Sequence, residues 1–308
     1  MGFFSNRYTK PGPGVDPDAP QKRAFFRFFD IFSRKPMHFI KVNLLYAVTG
    51  FITTLPVFVL IFAVFGSVVY GNEDPQGAVY AALILAFFCT NLYVTVMGVG
   101  PATAGITYIL RNFAREEHAW IWSDFKDAFK GNFKQAAAVY LIDLVSIVLL
   151  YVALAFYTQA SGFLGYLRYF VYIIIFIYAM MHLYIYPIMV TFKLSLKDIY
   201  RNALLFAMGK LPSNMLILII AAFVHVGLPY FLIPVCGNYF VIMLVIFAAL
   251  EIFVTQALMS FMVNFGVYPK LKTYMLDPAM GDTDAKREET LFDDDIRQKN
   301  RGRNDQSE

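Results

Sequence analysis

The chain has 308 residues, of which 58% are hydrophobic and only 16% are charged. Soluble domains carry about 25% charged residues, so this composition excludes an ordinary soluble domain and indicates a membrane protein. The net charge of +4 is small, and we expect no nucleic acid among the partners. The two cysteines, Cys89 in an apolar run and Cys236 in a short polar turn, predict neither a disulfide nor a zinc site.

The chain begins with a segment that has little to bury. Residues 1–21 are rich in proline and glycine, so we predict a disordered amino terminus. Residues 22–37 are different, because aromatic residues recur on one side of a helical projection and charged residues on the other. The aromatic side carries Phe25, Phe28, Phe29 and Phe32, and the charged side carries Arg23, Arg27, Asp30 and Arg34. This pattern predicts a helix lying at the membrane surface.

Six apolar blocks follow, each long enough to cross a bilayer core, which takes about 20 helical residues. They cover approximately 39–66, 78–100, 136–157, 169–192, 213–234 and 239–267. Short polar turns separate the members of each pair. We therefore predict an all-α membrane protein with six transmembrane helices in three hairpins, joined by cytoplasmic amphipathic elbow helices. The membrane domain is expected to span 22–274, followed by a disordered tail over 275–308.

The longest elbow, 101–134, lies between the first two hairpins. Apolar residues recur in it at roughly helical spacing, and five of its residues are Lys or Arg. The pattern predicts one or two helices lying along the membrane surface with a basic face toward the lipid headgroups. The basic residues expected there are Arg111, Arg115, Lys126 and Lys130.

The distribution of basic residues predicts the orientation. Placing the amino terminus inside puts 25 of the 26 Lys and Arg residues on inner segments and leaves only Arg168 outside. Such a bias is typical of membrane proteins, whose cytoplasmic loops are enriched in these residues. Both termini are therefore expected in the cytoplasm.

Proline and asparagine recur at regular intervals along the chain. A proline stands at the end of the second, fourth and sixth spans, and an asparagine at the start of the first, third and fifth. These residues are Pro101, Pro187 and Pro269, and Asn43, Asn132 and Asn214. The period favours a threefold repeat of an amphipathic helix followed by a hairpin. The alternative is that both residue types are simply common at helix ends.

Several short strings resemble the YesL-like family of bacterial integral membrane proteins. They include V-N-L-L-Y from Val42, G-P-A-T-A-G from Gly100, G-N-F-K-Q from Gly131 and L-S-L-K from Leu194. The resemblance covers roughly residues 25 to 275. It implies a multi-spanning protein of the bacterial plasma membrane without an established activity, linked to carbohydrate uptake. It supplies no catalytic residues.

Ionisable residues inside the spans are the candidates for chemistry, because placing them in lipid costs about 2.5–3.5 kcal/mol each on insertion scales. Asp143 and His182 have similar depths in neighbouring spans, and His225 and Glu251 are candidates for a second pair. Asn91 has a depth comparable to that of Asp143. One interpretation is a polar cavity open to the cytoplasm, lined by Asn91, Asp143 and His182, with the second pair deeper. The other is structural: the same contacts tie neighbouring helices together.

The sequence contains none of the common hydrolase, metalloprotease, thiol-redox or phosphate-loop motifs, so we expect no enzyme, no cofactor and no metal. The expected partners are the lipid bilayer and, from the family resemblance, components of a carbohydrate ABC transporter. The favoured hypothesis is a non-enzymatic accessory of a carbohydrate-uptake system. The alternative is a small-solute or proton-coupled transporter that uses the buried Asp, His and Glu residues.

Overall fold

The computed structural model describes residues 23–66, 74–235, 237–278 and 281. Within these ranges every regular element is helical and no strand occurs. The α-helices there are α1 Ala24–Arg34, α2 Pro36–Gly66, α3 Pro75–Val96, α4 Pro101–Ala114, α5 Ile121–Gly131, α6 Phe133–Gln159, α7 Phe163–Thr191, α8 Leu196–Gly209, α9 Leu211–Ala222, α10 Leu228–Val235, α11 Phe240–Leu250 and α12 Gln256–Leu271. The predicted disordered segment 1–21 and most of the predicted tail lie outside the described residues, although the described helix continues to residue 278.

Over the described ranges, six helical segments are long and apolar enough to cross a membrane: α2, α3, α6, α7, Leu211–Ile233 and Gly237–Leu276. They form three hairpins, α2 with α3, α6 with α7, and the two composite segments with each other. This confirms the predicted all-α fold with six membrane-spanning helices. The composite segments are continued by π-helical turns at Phe223–Gly227, Glu251–Thr255 and Lys272–Leu276.

The second span ends earlier than predicted, because the chain breaks between α3 and α4. Gly98 and Gly100 have φ values of 80° and 78°, a region that favours glycine. A Cβ atom at Gly98 would lie 2.6 Å from a ring carbon of Tyr186, so the close approach also requires glycine. Pro101 then opens α4, where its missing N–H removes no helical hydrogen bond. α3 therefore ends at Val96 rather than near residue 100.

The prediction that the whole of 101–134 lies along the membrane surface is wrong for α4. Every residue of α4 except Tyr108 is buried, and the helix packs against α2, α6, α7 and α12. Small residues permit this enclosure: a Cβ atom at Gly105 would lie 2.5 Å from the Phe125 ring. In contrast, α5 buries Phe125 and Ala128 against α4 and exposes its polar side, as a surface helix does.

The aromatic residues of α1 divide between two surfaces instead of sharing one. Phe28 stacks on Phe261 with ring centroids 5.1 Å apart, and Phe32 packs against Phe39. Phe25 remains 67% exposed. The helix therefore docks on the bundle through one aromatic face and presents another outward.

The order of the elements agrees with the predicted repeat unit, because α1, α5 and α8 each precede a hairpin. The repeated prolines do not all end spans, however. Pro101 begins α4, whereas Pro187 and Pro269 lie inside helices that continue beyond them. A proline in a membrane helix is tolerated where neighbouring groups satisfy the freed backbone. Descent from an internal duplication remains an interpretation.

Candidate functional site

Asp143 of α6 and His182 of α7 are in direct contact within the second hairpin. Nε2 of His182 lies 2.9 Å from Oδ1 of Asp143, and both side chains are fully enclosed. The hydroxyl of Tyr178, one turn before His182, donates to the same oxygen at 2.6 Å. The other carboxylate oxygen, Oδ2, is buried and has no hydrogen-bond partner among the described residues.

The hydrogen bonds of this pair determine where its protons are. Nδ1 of His182 lies 2.9 Å from the carbonyl oxygen of Tyr178, which can only accept, so Nδ1 carries a proton. The contact between Nε2 and Asp143 then needs a second proton, held either by the imidazole or by the carboxyl group. In both cases the pair shares one proton along this contact and has no net charge. A neutral pair suits a buried position, because an unpaired charge there is costly.

His225 and Glu251 form the second pair, in the third hairpin. Nδ1 of His225 lies 3.0 Å from each carboxylate oxygen of Glu251. His225 belongs to the π-helical turn Phe223–Gly227, and Glu251 begins the turn Glu251–Thr255. π-helical turns are rare and occur frequently at functional sites. Each member of this pair therefore lies where a π-helical turn interrupts the regular α-helix of its own span.

Asn43 of α2 supplies hydrogen-bond partners to backbone groups where the second π-helical turn interrupts the α-helix. Its amide nitrogen donates to the carbonyl oxygens of Glu251 and Ile252, and its oxygen accepts from the N–H of Ala257. One buried side chain thus replaces hydrogen bonds that an interrupted helix loses. This holds the Glu251 backbone against the first span.

A chain of polar side chains extends from the imidazole of His225. Nε2 of His225 lies 2.8 Å from the hydroxyl oxygen of Thr95, which donates to Oε1 of Gln256 at 2.7 Å. The amide nitrogen of Gln256 donates to the carbonyl oxygen and to Oδ1 of Asn91, at 2.7 and 2.8 Å. Because that carbonyl can only accept, the orientation of the Gln256 amide is fixed.

The same reasoning gives the protons of the second pair. Thr95 uses its only proton on Gln256, so it must accept from Nε2 of His225, and Nε2 carries a proton. The contact between Nδ1 and Glu251 then holds one further proton, on either partner. The His225–Glu251 pair is consequently neutral and carries one shared proton, as the Asp143–His182 pair does.

The structure divides the predicted site into two clusters and corrects the position of Asn91. Asn91 belongs with His225 and Glu251, through Gln256, and makes no hydrogen bond to Asp143 or His182 among the described residues. Asp143 and His182 are fully enclosed, so in the part of the chain that the structure describes they do not line a cavity open to the cytoplasm together with Asn91, as the sequence predicted. Sequence reasoning also missed four participants: Asn43, Thr95, Tyr178 and Gln256. Thr95, Tyr178 and Gln256 each lie four or five positions from a named residue, which was the available signal, whereas Asn43 had no such signal.

Two cavities lie within the spans beside these clusters. One, of about 510 Å³, is almost wholly apolar and includes Tyr93 and Tyr178 in its wall. The other, of about 400 Å³, lies among α2, α3 and the π-helical turn that begins at Glu251. The second cavity carries several polar side chains and adjoins the His225–Glu251 pair. Among the described residues no group of His, Cys, Asp and Glu is suited to hold a metal ion.

The predicted membrane-surface cations occupy different environments. Lys126 and Lys130 are exposed on α5, whereas Arg115 pairs with Glu117 at 2.6 Å. Arg111 is only 7% exposed, so its predicted position at the lipid headgroups is wrong. Its guanidinium instead donates to the carbonyl oxygen of Val190 and to Thr191, at the end of α7. Burial lowers the pKa of Arg111 from its ordinary value.

Glu116 fastens α1 to the end of α4. Its carboxylate binds Arg27 and Arg34 at 2.8 Å each, and its φ of 59° is uncommon for a residue other than glycine. The hydrogen bond from Arg34 is the main cause that lowers the pKa of Glu116 below its ordinary value. The turn after α4 therefore depends on an ionised carboxylate.

Comparisons with known proteins identify part of this region. Residues 80–154 match a family model described as a protein of unknown function, DUF624, which YesL-like proteins also carry. The matched segment runs from α3 through the buried α4 to α6, and it contains Asn91, Thr95, Arg111 and Asp143. No curated protein and no solved structure matches the chain. The chain is thus a multi-spanning membrane protein whose second quarter is similar to the DUF624 family.

Proposed function

We propose that this protein is a non-enzymatic accessory of a carbohydrate-uptake system in the bacterial plasma membrane, with both termini in the cytoplasm. It docks a transporter component through a basic surface on its elbow helices. The observation that carries the proposal is a set of five cations without a hydrogen bond or ion pair to any described residue. This elbow surface consists of Lys126, Lys130, Lys134, Lys197 and Arg201.

The two elbow helices that carry these cations are anchored separately. Phe125 of α5 and Ile199 of α8 are buried in two different core clusters, and the amide of Gln135 donates to the carbonyl oxygen of Leu194 at 2.9 Å. That bond joins the start of α6 to the segment before α8. By comparison, Arg27, Arg34 and Arg115 are already paired with Glu116 or Glu117. The unpaired cations are the ones available to an acidic partner, since electrostatic complementarity steers association.

Two further arguments support the proposed cytoplasmic location and the proposed partner. The basic residues favour a cytoplasmic elbow surface, as the distribution of 25 of 26 Lys and Arg residues indicates. The carbohydrate system is implied by the YesL-like resemblance alone. The partner expected is therefore an integral or peripheral component of a carbohydrate ABC transporter with acidic residues at its cytoplasmic face.

The docking proposal is tested by photo-crosslinking from the elbow surface in cells that contain the transporter. A crosslinking residue at Lys130 should capture a transporter component. Changing Lys126, Lys197 and Arg201 to Glu should abolish that capture and reduce carbohydrate uptake. The matched control is Arg168→Glu, a charge reversal at the other end of the molecule, which should leave both unchanged. Equal capture by the triple variant would reject the elbow surface as the docking site.

A second candidate is a proton-coupled transporter, and the two neutral His–carboxylate pairs favour it. Each pair holds one transferable proton inside the membrane-spanning region, and proton relays in transporters are built from such groups. The π-helical turns at His225 and Glu251 add an irregular backbone at the second pair. Purified protein in liposomes should then acidify or alkalinise the lumen when solute is supplied. Proton movement that persists equally in Glu251→Gln would argue against this role.

A further inference from the structure

The 400 Å³ cavity has an unusual chemical lining. Its wall contains one carboxylate residue, Glu251, and no Lys, Arg or His. Four aromatic residues share the wall: Tyr46, Phe51, Phe58 and Phe87. A carboxylate among aromatic faces is an environment that attracts a positively charged group once the proton shared with His225 has left.

Among the polar side chains of the wall, the amides are already hydrogen-bonded and one hydroxyl is not. The amide nitrogens of Asn43, Asn91 and Gln256 already donate to backbone carbonyl oxygens. The hydroxyl oxygen of Thr90, in contrast, has no partner, although Thr90 is only 4% exposed. Thr54 on the facing helix bonds back to its own helix, as membrane threonines often do. The unpartnered Thr90 hydroxyl is consequently free to meet a molecule in the cavity.

The position of the cavity indicates how a guest enters. Phe51 and Leu55, which belong to its wall, are 59% and 45% exposed on α2. α2 is a membrane-spanning helix, so this side of the cavity faces lipid. A guest that reaches the cavity from the bilayer must itself be lipophilic.

We propose that this cavity binds a lipophilic organic cation in exchange for the proton of the His225–Glu251 pair. The cation lies against the ionised carboxylate of Glu251 and the aromatic wall. The proton between Nδ1 of His225 and Glu251 leaves to solvent, and His225 remains neutral with its other proton directed at Thr95. One positive charge enters and one leaves, so the buried site stays neutral overall.

This inference names a substrate class for the second candidate function and rests on it, but binding can be measured without transport or a docking partner. The experiment is calorimetric titration of the full chain in a neutral detergent with methyltriphenylphosphonium. Triphenylphosphine oxide serves as the uncharged analogue. Repeating the titration in buffers of different ionisation enthalpy measures how many protons are released on binding. We expect about one proton per bound cation, because Nδ1 of His225 and Glu251 share one proton.

Three variants sharpen the test. Glu251→Gln should weaken cation binding at least about 30-fold, because a buried charge partner is lost. Phe58→Leu keeps an apolar side chain and should weaken cation binding about 3-fold through the lost aromatic face. This variant keeps the proposal testable if Glu251→Gln fails to fold. Asp127→Asn removes an exposed carboxylate on α5, away from the cavity, and should bind as the parent chain does.

The outcomes separate the possibilities. Tight binding of the cation with proton release, lost in folded Glu251→Gln, supports the exchange site. Equal binding of triphenylphosphine oxide, an unchanged affinity in both cavity variants, or no proton release would overturn it. Failure here leaves the docking proposal standing, because the elbow surface is not involved in the titration.

Discussion

Replacement of Arg111 tests whether the buried α4 is tied to the bundle by a single cation. Nη1 of Arg111 lies 2.7 Å from the carbonyl oxygen of Val190 and 3.1 Å from the hydroxyl oxygen of Thr191. Its guanidinium carbon also lies 4.5 Å from the centre of the Tyr108 ring. Arg111→Met keeps a long flexible side chain and removes these contacts together with the hydrogen bonds from Nε and Nη2 to Oδ1 of Asn112, at 3.3 and 3.1 Å.

The expected loss follows from the contacts. A hydrogen bond to a charged group contributes about 1.5–3 kcal/mol, and Arg111→Met removes two that reach α7. Removing a buried charge returns part of its desolvation cost. We therefore expect Arg111→Met to lower the free energy of unfolding by about 2–4 kcal/mol. Arg111→Lys keeps the positive charge but lacks the planar guanidinium group, and it should lower the free energy of unfolding by about 1–2 kcal/mol.

The assay is equilibrium unfolding in mixed micelles with increasing denaturing detergent, followed by circular dichroism. Lys126→Met is the matched control, because Lys126 is exposed and unpaired on the adjacent helix. It should change the free energy of unfolding by no more than about 0.5 kcal/mol, as surface substitutions usually do. Equal stability of Arg111→Met and the parent chain, or equal damage by Lys126→Met, would refute the argument.

Three further predictions concern the hairpins and the amino-terminal helix. Asp143→Asn and His182→Gln should each destabilise the detergent-extracted protein. Because residues in contact are coupled, the double variant should lose less free energy of unfolding than the sum of the two single losses in the same assay. Additive losses would contradict the pairing. The lowered pKa of Glu116 means that its stabilisation of α1 is present above the ordinary carboxyl pKa of about 4.3 and is lost as the pH falls through the lower, folded value. The protection of α1 amides against hydrogen exchange, taken relative to the intrinsic exchange rate at each pH, should therefore fall in acid. In Glu116→Gln this protection should already be low at pH 7, whereas high protection in that variant would exclude the clamp. A cysteine replacing Ser161 should label from outside intact cells and one replacing Asp127 should not, since the basic residues predict that α5 is cytoplasmic; the reverse pattern would invert the orientation.

The number and pairing of the spans were predictable because long apolar runs and basic segments are strong local signals. The contacts of Asp143 with His182 and of His225 with Glu251 were anticipated from depth alone, since each pair belongs to one hairpin. Asn91 was assigned to the wrong cluster because depth contains no information about which face of α3 a residue occupies. That face is set by tertiary packing around Gln256, which is 165 residues away.

The burial of α4 was not predictable from its pattern. Arg111, Asn112 and the threonines of α4 give it the composition of a surface helix, and Thr103 and Arg111 find their partners on other helices, at Tyr46 and Val190, only in the folded bundle. Glycine and alanine at close approaches, such as Gly105, were the available signal of enclosure. The π-helical turns had no visible sequence signature, because an extra residue per turn does not alter an almost wholly apolar run.

The bonds of Asn43 impose an order on the assembly of the protein. Asn43 enters the bilayer with the first span, whereas the backbone groups it binds belong to the last, 208 residues later for Glu251. During synthesis its amide must therefore remain in the membrane with temporary partners until the sixth span is inserted. The stacking of Phe28 on Phe261 waits for the same event. Closure of the bundle is consequently a late step, and until it occurs the nascent chain exposes a polar group inside the bilayer that cellular quality control can recognise.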